Sequence, residues 1–187
     1  MPVQDPSIVR YTFQDLLDLP ESHARHEIID GRLVVTPTPR VNHQRVAANL
    51  VRLLGDHARR HELGDVYGPM TVRLHDELVL EPDIVFISNE RMSIADPEGW
   101  VHGPPDLVIE ILSPSTWRRD GGVKRKRYLE SGVAELWIVD VDARSIDVWR
   151  AAAVQPERVE DTLRWQVAGE PIDISLLEVF RGVSPRR

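Results

Sequence analysis

The sequence predicts one α/β domain in which a mixed β-sheet is flanked by helices. Three observations support this fold class: several short apolar segments typical of strands, one long amphipathic helical segment, and a basic helical segment between two of the strands. The chain has 187 residues, of which 42% are hydrophobic and 28% are charged, as is typical of a soluble globular protein. This length predicts a single domain over residues 1–187, with a core at about 11–150 and a C-terminal strand and apolar tail at 151–187.

The first elements are a short helix, a hairpin and a long helix. Residues 11–19 have the pattern of a short helix with Thr12 as its N-cap. Asp30-Gly31 lies between two β-branched runs and predicts a tight hairpin, because both central residues of such a turn need positive φ. Apolar residues recur at helical spacing over residues 42–62 and predict an amphipathic helix.

The second half of the pattern is dominated by strands. Strands are predicted over residues 66–74, 83–88 and 106–112, and residues 89–105, rich in proline and glycine, are predicted to be a loop. The later expected elements are a basic helix at 121–131, a hairpin of 135–141 with 145–150, a strand at 162–167 and an apolar segment at 172–180.

Composition excludes several classes of protein. The chain has no cysteine, which excludes disulfides, thiolate zinc sites, iron–sulfur clusters and cysteine nucleophiles. We see no secretory signal and no apolar run of about 20 residues that could span a bilayer, so we expect a cytoplasmic protein. The net charge of −7 argues against coating of nucleic acid by bulk charge.

Glu110 is the most informative residue, because it interrupts a strand that is otherwise aliphatic. The flanking residues, 107–109 and 111–112, predict burial on both faces. An unpaired ionised carboxylate buried there would cost considerable free energy or would bind a proton. A bound cation is the simplest compensation, and a buried ion pair with an arginine or an edge position facing water are the alternatives.

A second carboxylate, Asp83, begins a strand directly after Pro82. Proline donates no ladder hydrogen bond, so this end of the strand is predicted to lie at a sheet rim or a bulge. If this strand pairs with the Glu110 strand, the two carboxylates converge, because adjacent strands are only about 4.8 Å apart. Two such carboxylates repel each other unless a metal ion neutralises them, and oxygen ligands favour Mg²⁺ or Mn²⁺.

A basic segment follows the Glu110 strand closely. Residues 117–128 contain six basic residues and one acidic residue, and Lys124 is among them. Because this segment contributes five positive charges to a net charge of −7, the rest of the chain carries −12. Such asymmetry is typical of a surface that meets polyanions, and a solvated helix face is the alternative.

Together these segments resemble the PD-(D/E)xK superfamily of restriction-endonuclease-like phosphodiesterases, and in detail the bacterial Uma two family of restriction endonucleases. The resemblance covers roughly residues 11–150 and includes Asp120 and Tyr128. The segments that carry it are residues 27–31, 37–39 with His43, 81–85, 106–116, Asp120 with Lys124 and Tyr128, and 132–140. It implies a restriction-endonuclease-like α+β core with a central mixed β-sheet flanked by helices.

The resemblance also implies a nuclease site that depends on Mg²⁺ or Mn²⁺. By position, Asp83 and Glu110 would be metal ligands, with a main-chain carbonyl near Ile111, and Glu27 would be an additional catalytic acid. The superfamily places a lysine two residues after its acid, where this chain has Leu112. The resemblance implies that the family takes its lysine from the following helix, which points to Lys124, and a lysine there would neutralise charge at the reacting phosphate.

The expected reaction is hydrolysis of DNA phosphodiester bonds. His43 is a candidate auxiliary residue that accepts a proton or orients Glu27, whereas a capping or surface role is the alternative. The nucleic-acid contacts expected to hold phosphates without reading sequence are Arg118, Arg119, Arg125 and Arg127. The residues assigned no such role are His57, His61 and His75, expected at the surface, and Trp117, Trp137 and Trp149, expected to pack.

Two other functions are compatible with the pattern. A non-catalytic nucleic-acid-binding or assembly module on the same fold is favoured by the displaced lysine and the acidic net charge. A glycosidase could use an acid pair, although a basic helix beside it suits phosphate better than sugar. Since nucleases that cut both strands often pair two sites by symmetry, we expect a homodimer with DNA as its partner.

Overall fold

The computed structural model describes residues 9–20, 24–36, 38–97, 99–112, 119–151 and 153–184, without the side chains of 119–121. The first half of this part of the chain contains α1 (Phe13–Leu17), β1 (Arg25–Ile29), β2 (Arg32–Thr36), α2 (Val41–Arg60), β3 (Gly64–Tyr67), β4 (Thr71–His75), β5 (Leu78–Leu80) and β6 (Ile84–Ser88). The second half contains β7 (Trp100–His102), β8 (Leu107–Ile111), α3 (Arg125–Glu130), β9 (Glu135–Asp140), β10 (Ser145–Arg150), β11 (Glu157–Val159), β12 (Thr162–Val167), β13 (Glu170–Ser175) and α4 (Leu176–Val179).

The described strands form two mixed sheets and a ribbon. The larger sheet has the order β11-β10-β9-β8-β6-β3, and β8 and β9 are its parallel pair. The smaller sheet has the order β2-β1-β5-β4-β7, with β4 parallel to β7, and β12 and β13 form the separate ribbon. The predicted mixed α/β class is confirmed, but the single central sheet of the prediction is divided into two.

Local sequence explains the first two turns of the fold. Thr12 is the N-cap of α1, and its backbone N–H and hydroxyl both donate to the Asp15 carboxylate at 2.7 Å. Asp30 and Gly31 have φ of 52° and 76° and form the two-residue connection of the β1–β2 hairpin, as predicted. The predicted long helix is confirmed as α2.

Three predicted segments differ from the structure. The strand expected at 66–74 is two strands, because Gly68 and Pro69 interrupt it: β3 joins the larger sheet and β4 joins the smaller one. The expected loop at 89–105 contains a 3₁₀ helix, Asn89–Ile94, and strand β7. The basic helix begins as a π-helical turn, Arg119–Lys124, before it continues as α3.

The C-terminal region is part of the main core rather than an appendage. Helix α2 packs against the larger sheet with an apolar stripe that includes Val46, Leu50 and Leu54. The same core cluster contains the C-terminal residues Leu163, Trp165, Ile174, Leu176, Val179 and Phe180. The Asn49 side-chain amide also donates to the Val179 carbonyl at 2.9 Å, so this region and α2 are joined by both packing and hydrogen bonding.

The connection between β5 and β6 carries the chain from the smaller sheet to the larger one. β5 pairs with β1 and β4, whereas β6 pairs with β3 and β8. Residues 81–83 form this connection and bring the acids of the two sheets to one place. In the part of the chain that the structure describes, no helix is long and apolar enough to cross a membrane.

Candidate functional site

Asp83 and Glu110 lie on the same side of the larger sheet. The predicted pairing of their strands is confirmed: β6 and β8 are antiparallel, with Ile84 opposite Ile109. When this register is continued by one residue, Asp83 lies opposite Glu110, and directly opposed side chains share a face of the sheet. Both acids are buried, with 2% of their surface exposed.

Asp83 accepts three hydrogen bonds, from three different elements. Arg25 Nη1 donates to Oδ1 at 2.6 Å, and Oδ2 lies 3.0 Å from His43 Nε2 and 2.8 Å from the Ile111 backbone nitrogen. Burial raises the pKa of this carboxyl, but the hydrogen bond and charge of His43, the Arg25 charge and the Ile111 N–H outweigh burial and lower the pKa below its usual value. Asp83 is therefore an ionised, firmly oriented carboxylate at neutral pH.

Glu110 is compensated by two groups from the basic helical segment. Lys124 Nζ lies 2.9 Å from Glu110 Oε1, and the Tyr128 hydroxyl donates to the same oxygen at 2.7 Å. Lys124 and Tyr128 are four residues apart, so their side chains share one helix face. The cation that accompanies this buried acid in the structure is thus a lysine rather than the arginine considered from the sequence.

Lys124 joins the two sheets. Its Nζ also lies 2.7 Å from Oε1 of Glu27 on β1, and the same Glu27 oxygen accepts the Glu81 backbone N–H at 2.9 Å. The Lys124 side chain is only 3% exposed. The chain contains two lysines and 21 arginines, and the other lysine, Lys126, has a side chain that is 64% exposed.

Sequence reasoning missed two charged residues of this cluster, Arg25 and Glu81. Arg25 lies two residues before Glu27 on β1, and residues two apart in a strand share a face, which is the signal that could have revealed it. Arg25 Nε lies 3.2 Å from Glu81 Oε1. Burial raises the pKa of the Glu81 carboxyl, and the Arg25 charge opposes that rise without cancelling it.

His43 orients Asp83, whereas the sequence analysis considered Glu27 as its partner. It is the third residue of α2 and is buried. Because the ionised Asp83 carboxylate only accepts hydrogen bonds, His43 Nε2 is the donor. The other ring nitrogen, Nδ1, is buried and has no hydrogen-bond partner among the described residues.

The expected nucleic-acid contacts lie on or before α3. The Arg125 guanidinium lies over the Trp149 ring at 4.0 Å from its centroid, and Arg127 pairs with Asp30 and Glu130 at 2.7 Å. Arg118 and Trp117 lie outside the described residues, as does the side chain of Arg119.

The predictions for the other aromatic and histidine residues have mixed outcomes. Trp137 is fully buried in the main core, as expected for a packing residue. The prediction that His57 lies at the surface is wrong. This residue of α2 is only 4% exposed, because its ring packs against Trp165.

The donor set of the cluster suits a hard divalent cation. Glu27, Glu81, Asp83 and Glu110 supply carboxylate oxygens, the ligands that Mg²⁺ and Mn²⁺ prefer. Against these four acids stand Arg25 and Lys124, so the six side chains together carry a formal charge of −2. Within the described ranges no three His, Cys, Asp or Glu side chains are already gathered as a metal cluster, and Lys124 and Arg25 hold oxygens of Glu110, Glu27 and Asp83.

The mixed sheets and their flanking helices define a protein of the mixed α/β class that buries a cluster of acids beside a lysine. Residues 13–178 match the family model described as "Uma2: Putative restriction endonuclease", and the chain belongs to this family. The resemblance to the Uma two family, stated from the sequence, is confirmed. The family description supports a nuclease-like function.

A solved structure has the same fold. It is described as a "putative nuclease belonging to DUF820" from Anabaena variabilis, and it superposes with a TM-score of 0.77 at 21% sequence identity. The match covers 90% of this chain and 97% of the other. No curated protein matches the chain.

Proposed function

We propose that this protein is a metal-dependent endonuclease that hydrolyses phosphodiester bonds in DNA. The observation that carries the proposal is the convergence of Asp83, Glu110 and Lys124, two acids and a lysine, in one buried cluster. The description of the family as restriction endonucleases supports DNA as the substrate.

Asp83 and Glu110 are the residues that would hold Mg²⁺ or Mn²⁺, with the main-chain carbonyl near Ile111 and with Glu27 beside them. A divalent ion bound there would polarise a phosphate oxygen and make water more acidic. Lys124 supplies a positive charge toward the charge that develops on the reacting phosphate. Such a charge acts most strongly where water is excluded, as it is around this buried side chain.

Three neighbours keep the acids in place. Arg25 and His43 hold one oxygen each of Asp83, so the carboxylate cannot rotate without losing a hydrogen bond. Tyr128 holds Glu110 in the same way. We assign these three as positioning residues, since each acts on an acid rather than on the substrate.

The helix that supplies Lys124 also supplies positive charge for a nucleic-acid backbone. Arg125 lies one residue after Lys124; it is half-buried, and its guanidinium lies over the Trp149 ring. Arginines contact phosphates without reading bases, so they would position a duplex rather than select its sequence. Arg127 belongs to the same basic segment and extends this proposed surface, and Arg118 and Arg119 are candidates from the sequence alone.

Plasmid cleavage tests the proposal. With purified protein, we expect nicking or linearisation that requires Mg²⁺ or Mn²⁺ and stops with a chelator. Asp83→Asn and Glu110→Gln should each lower the rate at least about 100-fold, because each removes a charge from the cluster. Glu135→Gln is the matched control: Glu135 begins β9, and its carboxylate contacts Trp137 on the same strand and Arg150 on the neighbouring strand β10 rather than any residue of the cluster named above. Wild-type rates in both cluster variants would reject the assignment.

A non-catalytic nucleic-acid-binding module is the second candidate. It is favoured by one observation: Arg25 and Lys124 form ion pairs with all four acids of the cluster, so the protein's own cations already balance part of its negative charge. This function predicts DNA binding that is independent of divalent ions, together with no cleavage under any metal. A binding assay run beside the plasmid assay therefore separates the two candidates.

A further inference from the structure

We propose that the Lys124 ammonium is the resident cation of the carboxylate cluster, and that a divalent ion must displace it from Glu110. Metal uptake and release of Lys124 would then be one coupled event. This inference rests on the proposed metal-dependent function and adds a competition between two cations of the same site.

The first support is the position of the ammonium. Lys124 Nζ lies 2.7 Å from Glu27 and 2.9 Å from Glu110, each a direct ion pair, and it therefore occupies the space between acids of two different sheets. A doubly charged ion that binds the same oxygens would repel the ammonium strongly in this buried setting.

The second support is the choice of side chain. The chain uses arginine 21 times and lysine twice, yet a lysine stands at this buried position. A lysine carries a compact charge on a flexible four-carbon stem, so Nζ can leave one partner while its helix stays in place. A guanidinium fork would be held by several hydrogen bonds at once and would exchange less readily.

The third support is the charge balance of the cluster. Arg25 pairs with Asp83 and Glu81, and Lys124 pairs with Glu27 and Glu110, so each cation holds two acids. Replacement of the Lys124 charge by a divalent ion would remove one of the two excess negative charges. The displaced ammonium would then be available to a substrate phosphate, so metal uptake would prepare the lysine for the reaction.

The first test compares metal affinity by calorimetric titration with Mg²⁺ alone. We expect Lys124→Met to bind Mg²⁺ at least about 10-fold more tightly than the wild type, while its plasmid cleavage falls at least about 100-fold. Lys126→Met is the matched control, because this exposed lysine should leave Mg²⁺ affinity unchanged. Equal or weaker Mg²⁺ binding by Lys124→Met would overturn the inference.

The second test uses the wild-type protein and so does not depend on whether a variant folds. An amine-acylating reagent is applied with and without saturating Mg²⁺, and modification of the two lysines is followed by mass spectrometry. We expect Lys124 to be modified at least about five-fold faster with Mg²⁺ and Lys126 to serve as an unchanged internal control. Equal protection of Lys124 in both conditions would overturn the inference.

The two tests separate failure of this inference from failure of the proposed function. If Mg²⁺ supports cleavage and binds the wild type and Lys124→Met equally, the nuclease proposal stands and the competition is rejected. If neither protein binds Mg²⁺ and no metal supports cleavage, both proposals are rejected. Tight binding by Lys124→Met alone, with Lys124 acylated faster in wild type at high Mg²⁺, supports the competition.

Discussion

Helix α2 carries one buried histidine near each end, and the two ends have very different surroundings. Near its start, His43 donates to Asp83 at 3.0 Å, within a cluster of acids and bases from both sheets. Near its end, His57 lies 3.3 Å from the Glu170 carbonyl, and its ring is 4.7 Å from that of His61 and 6.1 Å from that of Trp165. One end is therefore rich in charge, whereas the other is packed by aromatic rings.

The comparison shows that burial of a titratable side chain does not by itself mark a functional site. His57 is as buried as His43, but its near neighbours are a carbonyl and aromatic rings that hold the ribbon against α2. At the His43 end, charges from β1, the β5–β6 connection, β8 and the basic helical segment converge, which costs desolvation that packing alone does not require. Such convergence is the feature that indicates chemistry.

The largest expected effect is a loss of stability caused by a substitution at the His43 end of α2. Asp83→Asn should lower the free energy of unfolding by about 3–5 kcal/mol at pH 7, because Arg25 and His43 lose a buried charged partner. The pKa of Asp83 is lowered in the folded protein, so its stabilisation is present at neutral pH and is lost as the pH falls through that lowered value. Urea unfolding should therefore show a smaller difference in the free energy of unfolding between wild type and Asp83→Asn at pH 3 than at pH 7.

The control for this experiment is Asp173→Asn, at a side chain that is 63% exposed and lies 4.0 Å from the Arg164 guanidinium. This variant should stay within about 0.5 kcal/mol of wild type at both pH values. A gap for Asp83→Asn that is equally large at pH 3 would contradict the assignment of a depressed pKa.

His43→Ala should have the next largest effect, on cleavage rather than on stability. Loss of the donor to Asp83 should slow cleavage about 100-fold, equivalent to about 2.7 kcal/mol. His43→Gln places an amide donor near the position of Nε2, whereas His43→Asn places one near Nδ1. Rescue by glutamine in single-turnover assays supports the positioning role, and loss with both amides would indicate that Nδ1 itself takes part.

His57→Ala should lower the stability of the fold and leave the cleavage rate unchanged, the reverse of the pattern expected for His43→Ala. Removal of its ring leaves a cavity beside Trp165 and should cost about 2 kcal/mol in urea unfolding. The cleavage rate per folded molecule should be unchanged, since the end of α2 lies apart from the acids. A slow but stable variant would break the comparison between the two ends.

The smallest effect is expected for Glu81→Gln. Burial raises the pKa of the Glu81 carboxyl more than Arg25 lowers it, so ionisation of this group destabilises the folded state as the pH rises through its ordinary value to its raised one. The glutamine variant should therefore melt slightly higher than wild type at pH 7, and this gain should vanish near pH 4. A lower melting temperature at pH 7 would show that the Arg25 pair outweighs burial.

Short-range chemistry made much of the fold predictable. Asp30 and Gly31 indicate their turn because few residues accept positive φ, and residues 107–111 indicate a central strand because four of its five buried positions carry apolar side chains. Glu110 stands out against that strand for the same reason. The missed boundary at residues 68–69 arose because one apolar run was assumed to be one strand.

The partners in the site were harder to predict, because they depend on tertiary contacts. Nothing local distinguishes His43, which meets Asp83, from His57, which meets a carbonyl. Arg25 has no motif of its own and becomes part of the site only because β1 and the β5–β6 connection lie side by side. The choice of Lys124 came from the family resemblance, and the structure shows why it reaches Glu110: the helix face it shares with Tyr128 covers that acid.

The packing of the C-terminal region on α2 also affects how the chain matures on the ribosome. Asn49 contacts Val179 across 130 residues of sequence, and the apolar stripe of α2 shares its core with Phe180. Translation proceeds at roughly 5–20 residues per second, so α2 emerges many seconds before the strands that cover it. During that interval its exposed stripe is a natural target for chaperones, and the helix that carries His43 reaches its final packing only when synthesis is nearly finished.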